Sequence, residues 1–241
     1  MSEVFIIDAI RTPIGSFLGQ YKKTDAVDLG SLCVEGIYNR NKNLNKKHVE
    51  GLILGQVLTA GLGMNTARQV LLKSELSQNS FAYCVNQVCG SGMRAVMETA
   101  LKIKSNENQL LVAGGQESMS LARHTSLQRV VTKLGHDMMT DSILSEGLTD
   151  VFSKDHMGIT AENVARRYKV TRLEQDEFAF HSYKKAYNAL KKNYFKNELI
   201  SGPLVDEVRQ GTKLEKLSSL KAVFKKNGTV TAGNASSLND G

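Results

Sequence analysis

Hydrophobic and polar positions alternate in two rhythms through the first half of the chain. Short apolar runs, "VFIIDAI" (4–10), "GLILGQV" (51–57), "FAYCVNQV" (81–88) and "QLLVAGG" (109–115), each end near glycine or polar residues. Runs of that length predict strands buried on both faces. Between them the spacing becomes i, i+3, i+4, i+7, i+8. Leu29, Leu32, Cys33, Gly36 and Ile37 share one helical face, and Met93, Val96, Met97, Ala100 and Leu101 share another. Strands alternating with helices predict an α/β layer with a mostly parallel sheet.

After about residue 118 the alternation stops, and the chain becomes more polar, with Met and Lys scattered through it. This predicts a long insertion with irregular stretches and helices of its own. Thr171 and Glu174 form a T-x-x-E capping box that opens a helix running through residues 175–193. Ala161, Val164, Ala165 and Tyr168 mark the face of a preceding helix. The last segment, "GTVTAGNASSLNDG", stops at Gly241 where a new apolar strand is expected to start.

Composition narrows the class. With 241 residues, 41% hydrophobic, 23% charged and only two prolines, the chain reads as one or two ordinary globular domains rather than a disordered segment. The start, "MSEVFIIDAIRTP", has no basic region followed by a long apolar stretch, and no run reaches the length of a membrane span. The expectation is a cytoplasmic protein with no membrane partner. The formal charge of +7 is weighted toward the C-terminal third. Such an excess suits an anionic partner, although solvated lysines on helix faces explain most such cases. No nucleic-acid motif occurs, so nucleic acid is set aside.

Three cysteines, Cys33, Cys84 and Cys89, form no CxxC pair and lie near no histidine cluster, which argues against disulfides and against a metal site. Cys33 on a helix face and Cys84 within a strand read as small buried hydrophobes. Cys89 differs because it falls between a predicted strand and a predicted helix, at the edge of the sheet where ligands of open α/β folds gather. There the free amides and dipole of the following helix favour a thiolate, and Gly90 and Gly92 let the backbone turn sharply. A nucleophile needs that combination. The same residues permit two other readings: a buried structural thiol, or a dinucleotide fingerprint in "GSGMRA" with Glu117 at the acidic position. The fingerprint is weakened because it follows the third strand instead of opening the first βαβ unit.

"NQVCGSGMRAV" (86–96) closely resembles the nucleophile segment of the thiolases, the acetyl-CoA acetyltransferases. "DAIRTPIGSF" (8–17), "ILGQVLTAGLGMNTARQ" (53–69), "GGQESMS" (114–120), "HMGITAENVA" (156–165) and "GTVTAGNASSLNDG" (228–241) also resemble thiolase segments, in the family's order. The resemblance implies an incomplete thiolase-like layered α/β fold. Residues 1–118, continued by 229–241, would form the first α/β domain, and residues 119–228 a loop domain binding coenzyme A, with the second α/β half absent. It implies that Cys89 takes the acyl group from acyl-CoA as a thioester, with acetyl-CoA and acetoacetyl-CoA as substrates and no separate cofactor. Leu148, His156 and Met157 resemble residues lining the pantetheine channel, Arg209 a contact near the nucleotide end, and Ser236 a pantetheine contact. Departures occur at Ser237, where the family has glycine, at "SLKAVF" (219–224), and at Lys216.

The family's second half carries N-E-A-F, G-H-P and C-x-G-G-G segments that supply the activating histidine and a second cysteine, and none occurs here. None of the five histidines reads as the missing base. Two expectations follow: little or no thiolase activity from these residues alone, and apolar surface and a sheet edge left open. A non-catalytic remnant that at most binds CoA is the competing function. The resemblance also implies a homodimer or homotetramer for the complete protein, with Arg123, His124, Arg129 and Lys133 in a loop bridging dimers.

Overall fold

The computed structural model describes residues 3–127, 136 and 138–241. Three parallel strands form the central sheet: β2 (Gly51–Gly55) lies between β3 (Phe81–Val85) and β4 (Leu111–Gly115). The predicted runs at 51–57, 81–88 and 109–115 are therefore strands, the first two trimmed at the C-terminal end and the third at the N-terminal end. α1 (Ala26–Arg40) and α2 (Thr66–Lys73) cover one face, and α3 (Ser91–Lys104) packs on β2 and β4.

Strand alternation explains the layering. Leu52 and Leu54 of β2 join Val27, Val34, Tyr38, Ala67, Val70 and Leu71 in one buried cluster under α1 and α2. Ile53, Gly51 and Gly55 point to the opposite face, toward α3. Both α1 and α2 start with side-chain caps: Asp25 accepts from Asp28 N–H and Asn65 from Arg68 N–H.

Three expected faces are corrected. In α1, Leu29 of the expected face is buried, but Cys33, Gly36 and Ile37 are only half-buried and Leu32 is exposed, while Ala26, Val27, Gly30, Ser31, Val34 and Tyr38 are also buried. In α3 the buried positions are Ser91, Ala95 and Thr99, while Met93, Val96, Met97 and Leu101 are exposed. Small residues suit a helix that must lie close to a sheet, so the apolar stripe faces outward, without a partner among the described residues. In α4 (Met157–Tyr168) the packed residues are Gly158, Glu162 and Ala165, whereas Val164 and Tyr168 are exposed.

Residues 4–10, expected as a buried strand, pair with no strand among the described residues. Phe5, Ile6 and Ile7 are 75%, 82% and 64% exposed, so this apolar run lies outside the core. The reason is a missing neighbour, since a strand needs one to satisfy its main chain. The outer side of β4 is likewise an open edge of the sheet. Beyond β4, Glu117 and Gly241 exchange main-chain hydrogen bonds of 2.9 and 3.0 Å, and Ser118 bridges Asp240 antiparallel. β1 (Gly15–Ser16) pairs with β7 (Asn239–Asp240), so the end of the described chain returns to its beginning.

The polar region carries short β5 (His124–Thr125) and β6 (Thr140–Asp141), a π-helical turn at Ile143–Leu148, α4, α5 (Arg172–Lys191) and α6 (Leu214–Ser218). Thr171 and Glu174 form the expected capping box of α5. Of the four loop residues tied to dimer bridging, Arg123 lies beside Gly61 and His124 in β5, 4.0 Å from Asp141. Arg129 and Lys133 lie outside the described residues. No helix among the described residues is long and apolar enough to cross a membrane.

Candidate active site

β3 ends at Val85 and α3 begins at Ser91, leaving five residues to reverse direction at the C-terminal edge of the sheet. Cys89 sits in that turn and is exposed, whereas Cys33 and Cys84 are partly buried. Burial pushes the Cys33 thiol up, and Cys84 lies 3.1 Å from the Thr66 hydroxyl. The sulfur placed by sequence at a corner is therefore the one open to reagents.

The turn is unusual in its backbone. Val88 has φ of 50°, a left-handed conformation that is costly for a β-branched residue. Gly90 caps α3 without a side-chain bond, and the amides of Cys89, Gly92 and Met93 have no acceptor among the described residues. Cys89 precedes the start of α3 by two residues, so these free donors and the positive end of the helix dipole lie next to it along the chain.

Close glycine contacts place the start of α3. A Cβ added at Gly55 would lie 2.3 Å from Gly92 N, and one at Gly115 would lie 3.3 Å from Gly92 Cα. The helix main chain thus rests directly on the ends of β2 and β4, which fixes where the turn before it can run.

The other candidate residues fall into two groups. Leu148 ends the π-helical turn and is partly buried, and the next residue, Thr149, bridges His156 antiparallel. His156 is the N-cap of α4, its Nδ1 accepting from Gly158 N–H at 2.9 Å, and Met157 is the first helical residue, 39% exposed. The imidazole stacks on Phe224 with ring centroids 4.7 Å apart. Phe224 also explains the glycine of "HMG": a Cβ at Gly158 would lie 2.2 Å from its ring. Leu148, His156 and Met157 are thus brought together, with Phe224 as a fourth member.

Arg209 and Ser236 form the second group. Arg209 is exposed, donates to Ala232 O at 3.3 Å and lies over the Tyr183 ring at 5.8 Å. Tyr183 in turn donates to Gly233 O at 2.8 Å. Ser236 lies exposed just beyond this loop. An open cavity of about 610 Å³ is lined by Arg209, Tyr183, Arg11, Phe17 and Ser237 among others, but Cys89, His156 and Ser236 are not in its wall. No hydrogen bond or ring contact joins Cys89 to either group.

Buried polar side chains hold the two groups in one module. Glu162 accepts from Thr229 N–H and Val230 N–H, both at 2.7 Å, and from the Thr229 hydroxyl at 3.0 Å. Asp176 takes the Arg172 guanidinium at 2.7 Å and the Asn234 amide at 2.9 Å, and Arg172 also donates to Leu217 O and Leu220 O. Sequence reasoning missed Phe224, Glu162, Asp176 and Tyr183 because their partners lie tens of residues away. The only local hint is the polar residue on the inward face of each helix.

Burial pushes the Glu162 carboxyl up, but the amides of Val230 and Thr229 outweigh it and hold the group below the ordinary glutamate range. At Asp206 burial acts in the same sense and is outweighed by the Arg11 guanidinium and Ile14 N–H. A lowered folded-state value contributes stability that is complete above the unfolded value near about 4 and is lost as pH falls through the folded one. Glu162→Ala is therefore expected to cost about 2–4 kcal/mol at pH 7, measured by urea unfolding, because it strands buried amides. Part of that cost is expected to vanish as pH falls below the ordinary glutamate range and the wild-type carboxylate is itself protonated. A cost unchanged with pH would contradict the assigned charge.

The carboxylate of Glu117 accepts from Val57 N–H and Leu58 N–H at 2.9 and 3.2 Å, and burial pushes its carboxyl up against the pull of those amides. A ribose would need that group free, so the dinucleotide reading loses its acidic residue. Among the described residues no cluster of His, Cys, Asp or Glu is arranged to hold a metal ion.

Fold and corner together define an α/β protein that presents an exposed cysteine at the C-terminal edge of a parallel sheet. The family model for "Thiolase, N-terminal domain" matches residues 4–241, and the chain belongs to that family. An acetyl-CoA acetyltransferase from Paracoccus denitrificans is 43% identical over 252 residues, covering 100% of this chain and 64% of that protein. A probable acetyl-CoA acyltransferase from Staphylococcus aureus (strain COL) is 43% identical over 254 residues with the same two coverages. Among solved structures, the Acat5 thiolase from Ascaris suum in complex with coenzyme A superposes with a TM-score of 0.94 at 35% identity, over 99% of this chain and 64% of that one. The acetyl-CoA acetyltransferase of Bacillus anthracis gives 0.92 at 34%, over 98% and 62%. The chain thus spans just under two thirds of the length of these relatives.

Proposed function

We propose that these residues are the nucleophile-bearing portion of an acetyl-CoA acetyltransferase that makes or breaks acetoacetyl-CoA. The observation that carries this reading is the exposed Cys89 in a left-handed turn, beside the unpartnered amides that begin α3. As a thiolate, Cys89 Sγ attacks the acyl carbonyl carbon, and the oxyanion that forms is met by main-chain N–H donors. Collapse breaks the bond from carbon to the CoA sulfur, leaving the acyl group on Cys89 and releasing CoA, which takes up a proton. For condensation, the carbanion of a second acetyl-CoA attacks that thioester, forming a carbon–carbon bond and returning the cysteine.

The nucleophile needs a base to take its proton, and condensation needs a second base to take a proton from the acetyl-CoA methyl group, which the same group returns in the cleavage direction. His156 accepts Gly158 N–H through Nδ1, His181 packs edge-on against Phe180, and His48 ends a single 3₁₀ turn. The bases are therefore assigned to the part of the relatives that this chain does not span. The same part would cover the outward stripe of α3 and the open edge of β4. The relative solved with coenzyme A supports a CoA arm running past Leu148, His156, Met157 and Ser236, with the nucleotide toward Arg209. Such an enzyme would need no further cofactor and would assemble as a homo-oligomer in the cytoplasm.

Iodoacetamide labelling with peptide mass analysis tests the reading. Cys89 is expected to be alkylated well ahead of Cys33 and Cys84, and acetyl-CoA is expected to protect it. These residues alone are expected to cleave acetoacetyl-CoA barely or not at all. Equal labelling of all three thiols, with no protection, would favour a remnant without a formed site.

A further inference from the structure

Ser91 is buried, only 4% exposed, at the first position of α3, where an ordinary helix would leave a serine facing solvent. Its hydroxyl faces back across the turn. Ser91 Oγ–H donates to Val88 O at 2.6 Å, and the same oxygen accepts Gln87 N–H at 2.8 Å. Ser91 N–H also donates to Val88 O at 3.1 Å, Gly90 N–H to Gln87 O at 3.0 Å, and Asn86 Oδ1 accepts Val88 N–H at 2.9 Å. The N–H and the C=O of Val88 are thus both satisfied within the turn, and two of the five bonds run through one hydroxyl.

That pattern identifies what holds the strained residue. A β-branched side chain at φ of 50° is costly and persists only where its surroundings over-determine it. The two bonds through Ser91 are of the right size to offset that cost. Without them the turn can relax to a right-handed Val88, which re-aims the next residue, Cys89.

We propose that Ser91 is a positioning residue: its side-chain hydroxyl clamps Val88 in the left-handed conformation and so fixes how the next residue, Cys89, is presented at the start of α3. This rests on reading Cys89 as the acyl acceptor. Ser91 itself touches no substrate and moves no proton.

The test is the rate of Cys89 alkylation by iodoacetamide in the full 241-residue chain, with Cys33 and Cys84 as internal controls. Ser91→Ala is expected to slow Cys89 about fivefold or more, the order of a lost helix-end interaction, while Cys33 and Cys84 stay slow. A merely structural loss would instead speed the two part-buried thiols. Val88→Gly removes the strain that the hydroxyl opposes, because glycine adopts positive φ freely. The double variant Val88→Gly/Ser91→Ala is therefore expected to recover most of the Cys89 rate, and to fold even if Ser91→Ala alone does not. An Ser91→Ala rate equal to wild type, or a double variant with no recovery or no fold, overturns the inference. If the rates behave as expected but acetyl-CoA gives no protection, the acyl-transfer reading fails and the clamp stands.

Discussion

Gly55→Ala is expected to destabilise the protein by about 3 kcal/mol or more and to abolish the selective alkylation of Cys89. The added methyl would sit 2.3 Å from Gly92 N and 2.3 Å from Ser91 C. Those are main-chain atoms of a helix, so no rotamer change relieves the clash, and the start of α3 must lift from β2. The Cys89 turn ends at that helix and must move with it. Urea unfolding and the alkylation pattern measure the two effects together. Gly114→Ala, whose Cβ would meet only Leu54 Cδ2 at 3.6 Å on the neighbouring strand, is the control expected to cost much less. Equal effects at both positions would show that the close approach of helix and strand end is not what seats the nucleophile.

Cys89→Ala is expected to lower acyl transfer by about 10⁴-fold or more, since a covalent route disappears with its nucleophile. Where catalysis requires the remaining third of the relatives, it is measured after completing the chain with a polypeptide supplying it. A direct reading on this chain is the intact mass after incubation with acetyl-CoA, with peptide mapping to place any acetyl group. Acetyl on the 86–94 peptide of the wild type, absent from Cys89→Ala, is the expected result. Acetylation that persists in the variant on Cys33 or Cys84 would remove Cys89 from the mechanism. Stability is expected to change little, because the side chain is exposed and has no hydrogen-bond partner in the turn.

Different parts of this architecture were legible to different degrees. Strands β2, β3 and β4, helices α1 and α3 and the corner between β3 and α3 could all be read from runs, periodicity and glycines, because those signals are local. The Thr171–Glu174 capping box was legible for the same reason. Which face of each helix is buried was not. Met93, Val96, Met97 and Leu101 have the spacing of a core stripe, yet the sheet takes Ser91, Ala95 and Thr99. Periodicity reports that a stripe exists and says nothing of which neighbour covers it. The run at 4–10 misleads in the same way, since its apolar character is real but its pairing partner is not among these strands.

The candidate site divides along the same line. Cys89 could be named from sequence because strand, glycines and helix surround it within a dozen residues. His156, Met157 and Ser236 needed the resemblance of whole segments to be singled out. Phe224 against His156, and Glu162 against Thr229 and Val230, join residues about 70 positions apart and emerge only in the fold.

By itself the amino-acid order determined the α/β class, the thiol at the turn and kinship with the thiolases, since backbone preference and short-range pattern act over a few residues. Tertiary structure alone decided that Val88 is left-handed, that Gly55 and Gly115 seat α3, and that an apolar helix stripe faces outward. Those depend on which main-chain surfaces meet, and close packing between distant segments is a property of the assembled layers rather than of any stretch within them.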